Sequence, residues 1–89
     1  MQNVLTIKMD KKTITSKPFD FKAMCLINEK HNDETVKGPL MYCSDAVDYL
    51  FEGTEATQEV INELPVGVRT KLCMTAWGMY IDALTVKNE

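Results

Sequence analysis

A chain of 89 residues with 45% hydrophobic and 26% charged side chains has the composition of one small folded domain, 1–89, rather than of a disordered protein. Its net charge of −3 argues against general affinity for nucleic acid phosphates or anionic membranes, which both require concentrated lysine and arginine. Met1–Lys8 has no apolar run behind a basic cluster, and no stretch reaches membrane-spanning length, so we expect a cytoplasmic protein.

The first predicted element is a β-hairpin over about 4–16. Apolar and polar residues alternate through Val4–Met9, and a β-branched run, Thr13–Thr15, follows the polar segment Asp10–Lys12. This connection lacks the Asn-Gly or Asp-Gly pair that tight two-residue loops prefer, so we expect a longer turn.

A first helix is predicted over about 20–30, where Asp20 is a suitable N-cap. Its apolar residues recur at helical spacing and are expected to face the core: Ala23, Leu26 and Ile27. The next segment, His31–Pro39, is polar and ends in Gly-Pro, which predicts a surface loop with a solvated His31.

A second, short helix is predicted over about 44–52. Ser44 is a good N-cap, and Gly53 stands where a residue of left-handed conformation commonly ends a helix. One face of this helix carries the residues expected in the core: Val47, Leu50 and Phe51.

A third helix is predicted over about 55–64. Either Thr54 or Thr57 can cap it, and Pro65 ends it because proline has no amide hydrogen to donate. A helix-turn-helix interpretation of the second and third helices is opposed by charge, since the would-be recognition helix carries three glutamates where DNA-binding proteins place lysine or arginine: Glu55, Glu59 and Glu63.

The last helix, about 65–85, is predicted to be the longest, at roughly 30 Å. Gly78 in its interior costs about 1 kcal/mol relative to alanine, so we expect a close neighbouring backbone to require it. Together the segments predict a mainly α-helical protein with a short N-terminal β-hairpin and about four helices.

Apolar residues form a broad stripe along the last helix, wider than so small a domain can easily cover. Four of them are expected to lie inward: Val68, Leu72, Ala76 and Ala83. Four others are expected at the margin, where aromatic anchors of this kind suit partner binding: Trp77, Tyr80, Ile81 and Leu84.

Catalytic and metal sites are the weaker interpretations. The three cysteines are widely separated and lie beside apolar residues, as reduced core thiols do: Cys25, Cys43 and Cys73. With His31 they would supply a Cys-Cys-Cys-His set, but without the short paired spacings of zinc ligands. We therefore expect no metal, no cofactor and no enzymatic activity.

The order of these elements resembles the small tail assembly chaperones of long-tailed phages that infect Gram-positive hosts. The resemblance is carried by the hairpin, by Phe19–Phe21 leading into a helix, by Ala46–Gly53, and by a closing helix with Trp77 and Tyr80. It implies a helical protein of the host cytoplasm that self-associates, binds the tape measure protein, is displaced by tail tube protein and is not expected in the mature virion.

One alternative stays open from another functional class. The chain could be a small phage-encoded regulator or inhibitor that binds DNA or a host transcription protein. Salt-sensitive retention on duplex DNA would favour the DNA-binding form of that hypothesis.

Overall fold

The computed structural model describes residues 3–85 and confirms the predicted fold class, an N-terminal β-hairpin followed by four helices with the last one longest. The elements are β1 (Thr6–Met9), β2 (Lys12–Thr15), α1 (Phe21–His31), α2 (Pro39–Leu50), α3 (Gln58–Asn62) and α4 (Val66–Leu84). Helix α2 packs against both α1 and α4, and one hydrophobic core connects these helices to the hairpin.

The hairpin is tighter than its sequence suggests. Strands β1 and β2 are antiparallel, and the pairing of Met9 with Lys12 leaves a turn of only Asp10 and Lys11. The expectation of a longer connection is therefore wrong. Neither turn residue has a positive φ, so this turn does not need the glycine that the usual two-residue loops require.

A buried serine fastens the hairpin to the helices. The hydroxyl of Ser16 accepts a hydrogen bond from the Leu5 amide at 2.8 Å and donates one to the Lys17 carbonyl at 2.8 Å. The Lys17 amide in turn donates to the carbonyl of Leu50, the last residue of α2, at 2.9 Å. The hairpin is thus tied by main-chain bonds to the end of α2.

Helix α1 begins as its capping residue indicates. Asp20 has extended backbone, and its Oδ1 accepts a hydrogen bond from the Ala23 amide at 3.0 Å. Ala23 and Ile27 are buried, whereas Leu26 is only partly buried. His31 is the last residue of this helix, so the prediction that it lies in a loop is wrong; the helical hydrogen bonds continue to the amide of Asn32, which donates to the Asn28 carbonyl at 3.0 Å.

Helix α2 begins five residues before the predicted start at Ser44. Gly38 adopts a φ of 90°, its carbonyl accepts the amides of Met41 and Tyr42, and Pro39 occupies the first helical position. The Gly-Pro pair therefore starts this helix instead of breaking the chain, because proline fits the first turn, where its missing amide hydrogen has no helical partner. Gly53 has the predicted left-handed conformation, with a φ of 78°.

Helix α3 is five residues long and shorter than the predicted 55–64. The hydroxyl of Thr54 accepts from the Ala56 amide and donates to the Phe51 carbonyl, which holds this segment in a turn. Thr57 caps the helix through the Val60 amide. Among the three glutamates of the proposed recognition helix, only Glu59 lies in α3.

Helix α4 buries Leu72, Cys73, Ala76 and Tyr80 against the core. Two residues expected to point inward do not: Val68 is 37% exposed and Ala83 is also exposed. Gly78 is exposed, and a Cβ built there would meet no heavy atom within 4 Å. The prediction that a neighbouring backbone requires Gly78 is therefore wrong within this chain.

Candidate interaction surfaces on helix α4

The four residues predicted to bind a partner lie in three different environments. Ile81 and Leu84 are 41% and 55% exposed, Trp77 is partly buried, and Tyr80 is 1% exposed. The expectation that Tyr80 lies at the margin of the apolar stripe is wrong, because its side chain points from α4 into the core. Partner binding by these four residues stays a prediction.

Tyr80 and Trp77 belong to an aromatic cluster that the sequence does not reveal. The ring of His31 packs edge-on against Tyr42, Trp77 and Tyr80, with centroid distances of 5.1, 5.4 and 6.2 Å. Trp77 also lies 5.4 Å from Tyr42 and stacks on Tyr80 at 5.2 Å. These contacts join the end of α1, the start of α2 and the second half of α4, so part of the apolar stripe serves the chain's own packing.

Next to this cluster lies an open apolar groove, the α2/α4 groove. It encloses about 320 Å³ between the start of α2 and the start of α4. Its exposed large apolar side chains are Leu40 at 44%, Met41 at 59% and Val66 at 82%. A volume at the small end for ligand sites suits a few inserted side chains better than a whole cofactor.

Arg69 forms the polar wall of the α2/α4 groove. Its Nη2 lies 3.0 Å from the Ser44 hydroxyl and 3.3 Å from Oδ1 of Asp48, both on α2. Its Nη1 is buried and has no hydrogen-bond acceptor among residues 3–85. The guanidinium charge is therefore paired with Asp48 inside the wall, which leaves the groove itself mainly apolar.

A second surface, the outer face of α4, points away from the rest of the chain. Its centre holds Met74, Gly78 and Ile81, spaced four and three residues apart and thus aligned on one side of the helix. Leu84 extends the apolar edge of this face, with partly buried Trp77 beside it, and Lys71 and Asp82 form the polar edge.

The cysteines do not form a site. Cys43 and Cys73 are buried, as expected, but Cys25 is exposed, which corrects its assignment to the core. Burial raises the pKa of Cys43 to about 12, with a smaller contribution from the nearby Cys73, and burial also raises the pKa of Cys73. Both buried thiols thus stay protonated and unreactive at neutral pH. Within residues 3–85, no three cysteine, histidine or carboxylate side chains are placed to share a metal ion.

Comparison with known protein families, with curated proteins and with solved structures finds no match for this chain. In the part of the chain that the structure describes, no helix combines the length and apolar character needed to cross a bilayer. The α2/α4 groove and the outer face of α4 are the candidate interaction surfaces of this chain.

Proposed function

We propose that this chain is a non-enzymatic tail assembly chaperone that binds a tape measure protein and prevents its aggregation until tail tube subunits displace it. The observation that carries this proposal is the α2/α4 groove, where exposed leucine, methionine and valine side chains line a cleft between two helices. The resemblance in element order supports the same role. The protein would act in the host cytoplasm and be absent from the mature virion.

The groove has the form that recognition of an amphipathic helix uses. Such a helix inserts apolar side chains spaced three or four residues apart into a cleft between helices of its receptor. Met41 and Val66 stand on opposite sides of this cleft, one from α2 and one from α4. Methionine adapts its shape to different side chains, which suits a client with many similar but unequal binding segments.

Charge and repetition support a solubilising role. Each bound copy would add a net charge of −3 to the complex, and accumulated charge keeps protein assemblies apart in solution. A small groove gives weak binding for one copy. A long client with repeated apolar segments would hold many copies close together, and their effective concentration would raise the overall affinity.

Coexpression with a phage tape measure protein tests the proposal. We expect the wild type to keep that client in the supernatant and to copurify with it. Met41→Asp and Val66→Asp place a charge in the groove and should abolish both effects. Phe21→Asp is the matched control, because Phe21 is 80% exposed on α1, outside the groove lining, and the same change there should leave client binding intact.

Two results would contradict the chaperone proposal. One is a client that is equally soluble with and without this chain and does not copurify with it. The other is equal loss of binding in the groove variants and in Phe21→Asp, which would indicate a general effect of added charge. Salt-sensitive retention of the wild type on duplex DNA would instead support the regulator hypothesis.

A further inference from the structure

The outer face of α4 has features that packing within the chain does not explain. Met74 is 46% exposed and Ile81 is 41% exposed, and Gly78 lies between them on the same side of the helix. A glycine inside a helix costs stability, yet no atom of the described chain approaches the position that its Cβ would occupy. A bare helical backbone flanked by two apolar side chains allows another helix to approach closely.

The charges beside this apolar centre indicate which molecule binds the outer face of α4. Lys71 and Asp82 are exposed on the same edge of the outer face, eleven residues or three helical turns apart. Neither makes an ion pair with another of residues 3–85. Trp77 lies within one residue of two midpoints along the sequence. One is the midpoint of Lys71 and Asp82, and the other is the midpoint of Met74 and Ile81. Apolar and charged pairs are therefore centred on the same point of the helix.

We propose that the outer face of α4 pairs with the same face of a second copy of this chain, in antiparallel orientation about a two-fold axis at Trp77. Rotation about that axis places Met74 of one copy opposite Ile81 of the other, and Lys71 alongside Asp82. Each contact occurs twice, as in any isologous interface. Gly78 lies next to the axis, where the two backbones come nearest.

A parallel pair does not fit this charge pattern. Each Lys71 would then lie at the same height as the other copy's Lys71, and each Asp82 at the same height as the other copy's Asp82. Lys71 of one copy and Asp82 of the other would be about 16 Å apart along the helix axis. The interface extends over about three turns of one helix and is smaller than those of stable dimers. We therefore expect a weak pair that dissociates on dilution. It does not depend on the identity of the client.

A charge-exchange experiment tests both the occupant and its orientation. In Lys71→Glu, two carboxylates face each other at each end of the interface, and in Asp82→Lys two ammonium groups do. Sedimentation equilibrium should show dimerisation about tenfold weaker for each single variant. An equimolar mixture of the two variants restores opposite charges at both ends and should dimerise as well as the wild type. The double variant Lys71→Glu/Asp82→Lys should do so as well.

Matched variants separate this effect from net charge. Lys11→Glu and Glu59→Lys make the same charge changes at exposed positions in the hairpin turn and in α3, and should dimerise like the wild type. Gly78→Leu should leave the chain folded, because the site is open, but should block the close approach and leave a monomer. Thermal unfolding confirms folding for every variant.

The pairing is overturned if the wild type remains monomeric at every concentration. It is also overturned if the mixture dimerises no better than the single variants, or if neither single variant weakens dimerisation. Client solubility in the coexpression assay gives a separate result. A failure of dimerisation with normal client binding rejects only the pairing, and normal dimerisation without client binding rejects only the chaperone proposal.

Discussion

The hydroxyl of Tyr80 donates a hydrogen bond to Oδ1 of Asn28 across 2.9 Å and thereby joins α4 to α1. The ring of Tyr80 is buried, while Asn28 is exposed at the edge of the interface between the two helices. A buried tyrosine commonly combines an apolar ring with a satisfied hydroxyl in this way. Tyr80 is thus a packing residue of the monomer.

Replacing Tyr80 separates its ring from its hydroxyl. Tyr80→Phe should lower the free energy of unfolding by about 1 kcal/mol, the usual net value of one hydrogen bond. Tyr80→Ala should lower it by about 3–5 kcal/mol, because a large cavity is left in the core. Urea unfolding measures both. A Tyr80→Ala variant that unfolds like the wild type would contradict the buried position of this ring.

Trp77→Ala should have an intermediate effect on stability. The indole is only partly buried, so we expect a loss of about 2 kcal/mol, below the range for a fully buried tryptophan. Part of that loss comes from the contact with His31, which a double-mutant cycle with His31→Ala isolates. We expect a coupling of about 0.5–1.5 kcal/mol, and a coupling near zero would mean that the edge-on contact contributes no stability.

The pH dependence of stability should change when Tyr49 loses its hydroxyl. The hydrogen bond from Tyr49 lowers the pKa of Asp20 below 3.8, with a smaller contribution from the Ala23 amide. A lowered pKa means that this interaction stabilises the fold above about pH 4 and is lost as pH falls through the pKa of folded Asp20. Wild type should therefore exceed Tyr49→Phe in stability at neutral pH.

The same hydrogen bond raises the pKa of Tyr49 above 10, so its contribution should also be lost as strongly alkaline pH removes the phenol proton. Urea unfolding from pH 2 to pH 8 checks the acid limb. We expect the difference between the two stability curves to shrink as pH falls below about 4. Curves that stay parallel over this range would show that the bond to Asp20 does not control the difference.

Ser16→Ala should destabilise the attachment of the hairpin by about 1–3 kcal/mol, because the buried Leu5 amide loses the hydroxyl that accepts its hydrogen. Thr13→Ala, on an exposed position of β2, serves as the control and should change stability by less than about 0.5 kcal/mol. Amide hydrogen exchange at Leu5 gives a local measurement. Unchanged protection in Ser16→Ala would contradict the role assigned to this serine.

Gly78→Ala should stabilise the monomer by about 0.5–1 kcal/mol. Alanine favours the helix and reduces the freedom of the unfolded chain, and the open surroundings accept its methyl group. Thermal unfolding at low protein concentration measures this gain without self-association. A destabilised monomer would mean that a neighbour within the chain already occupies this space.

Local signals explain which helix boundaries were predictable. Asp20 contacts the first turn of α1 directly, and Pro65 directly precedes α4, so short segments determine both starts. Gly38 and Pro39 are ambiguous, because the same pair that ends one helix also begins another. Whether the pair ends or begins a helix depends on how α2 packs against α1 and α4, and a short segment carries no information about that packing.

The candidate surfaces were only partly predictable for a related reason. Helical spacing correctly placed Ile81 and Leu84 on exposed positions but could not separate Tyr80 from Leu84, because residues four apart differ by only about 40° around the helix axis. The sequence does not predict the α2/α4 groove, because the predicted second helix begins at Ser44 and leaves Leu40 and Met41 outside it. A helical interpretation of Pro39 as a first-turn residue would have placed both on α2.

The unequal burial of the three cysteines makes the wild-type chain convenient for labelling. A maleimide dye at neutral pH should react at Cys25 on α1, while Cys43 and Cys73 stay protonated inside the core. One fluorophore per chain would then be attached at a known position without any substitution. Energy transfer between labelled copies, and from Trp77 to the dye, would report assembly and unfolding in the native sequence.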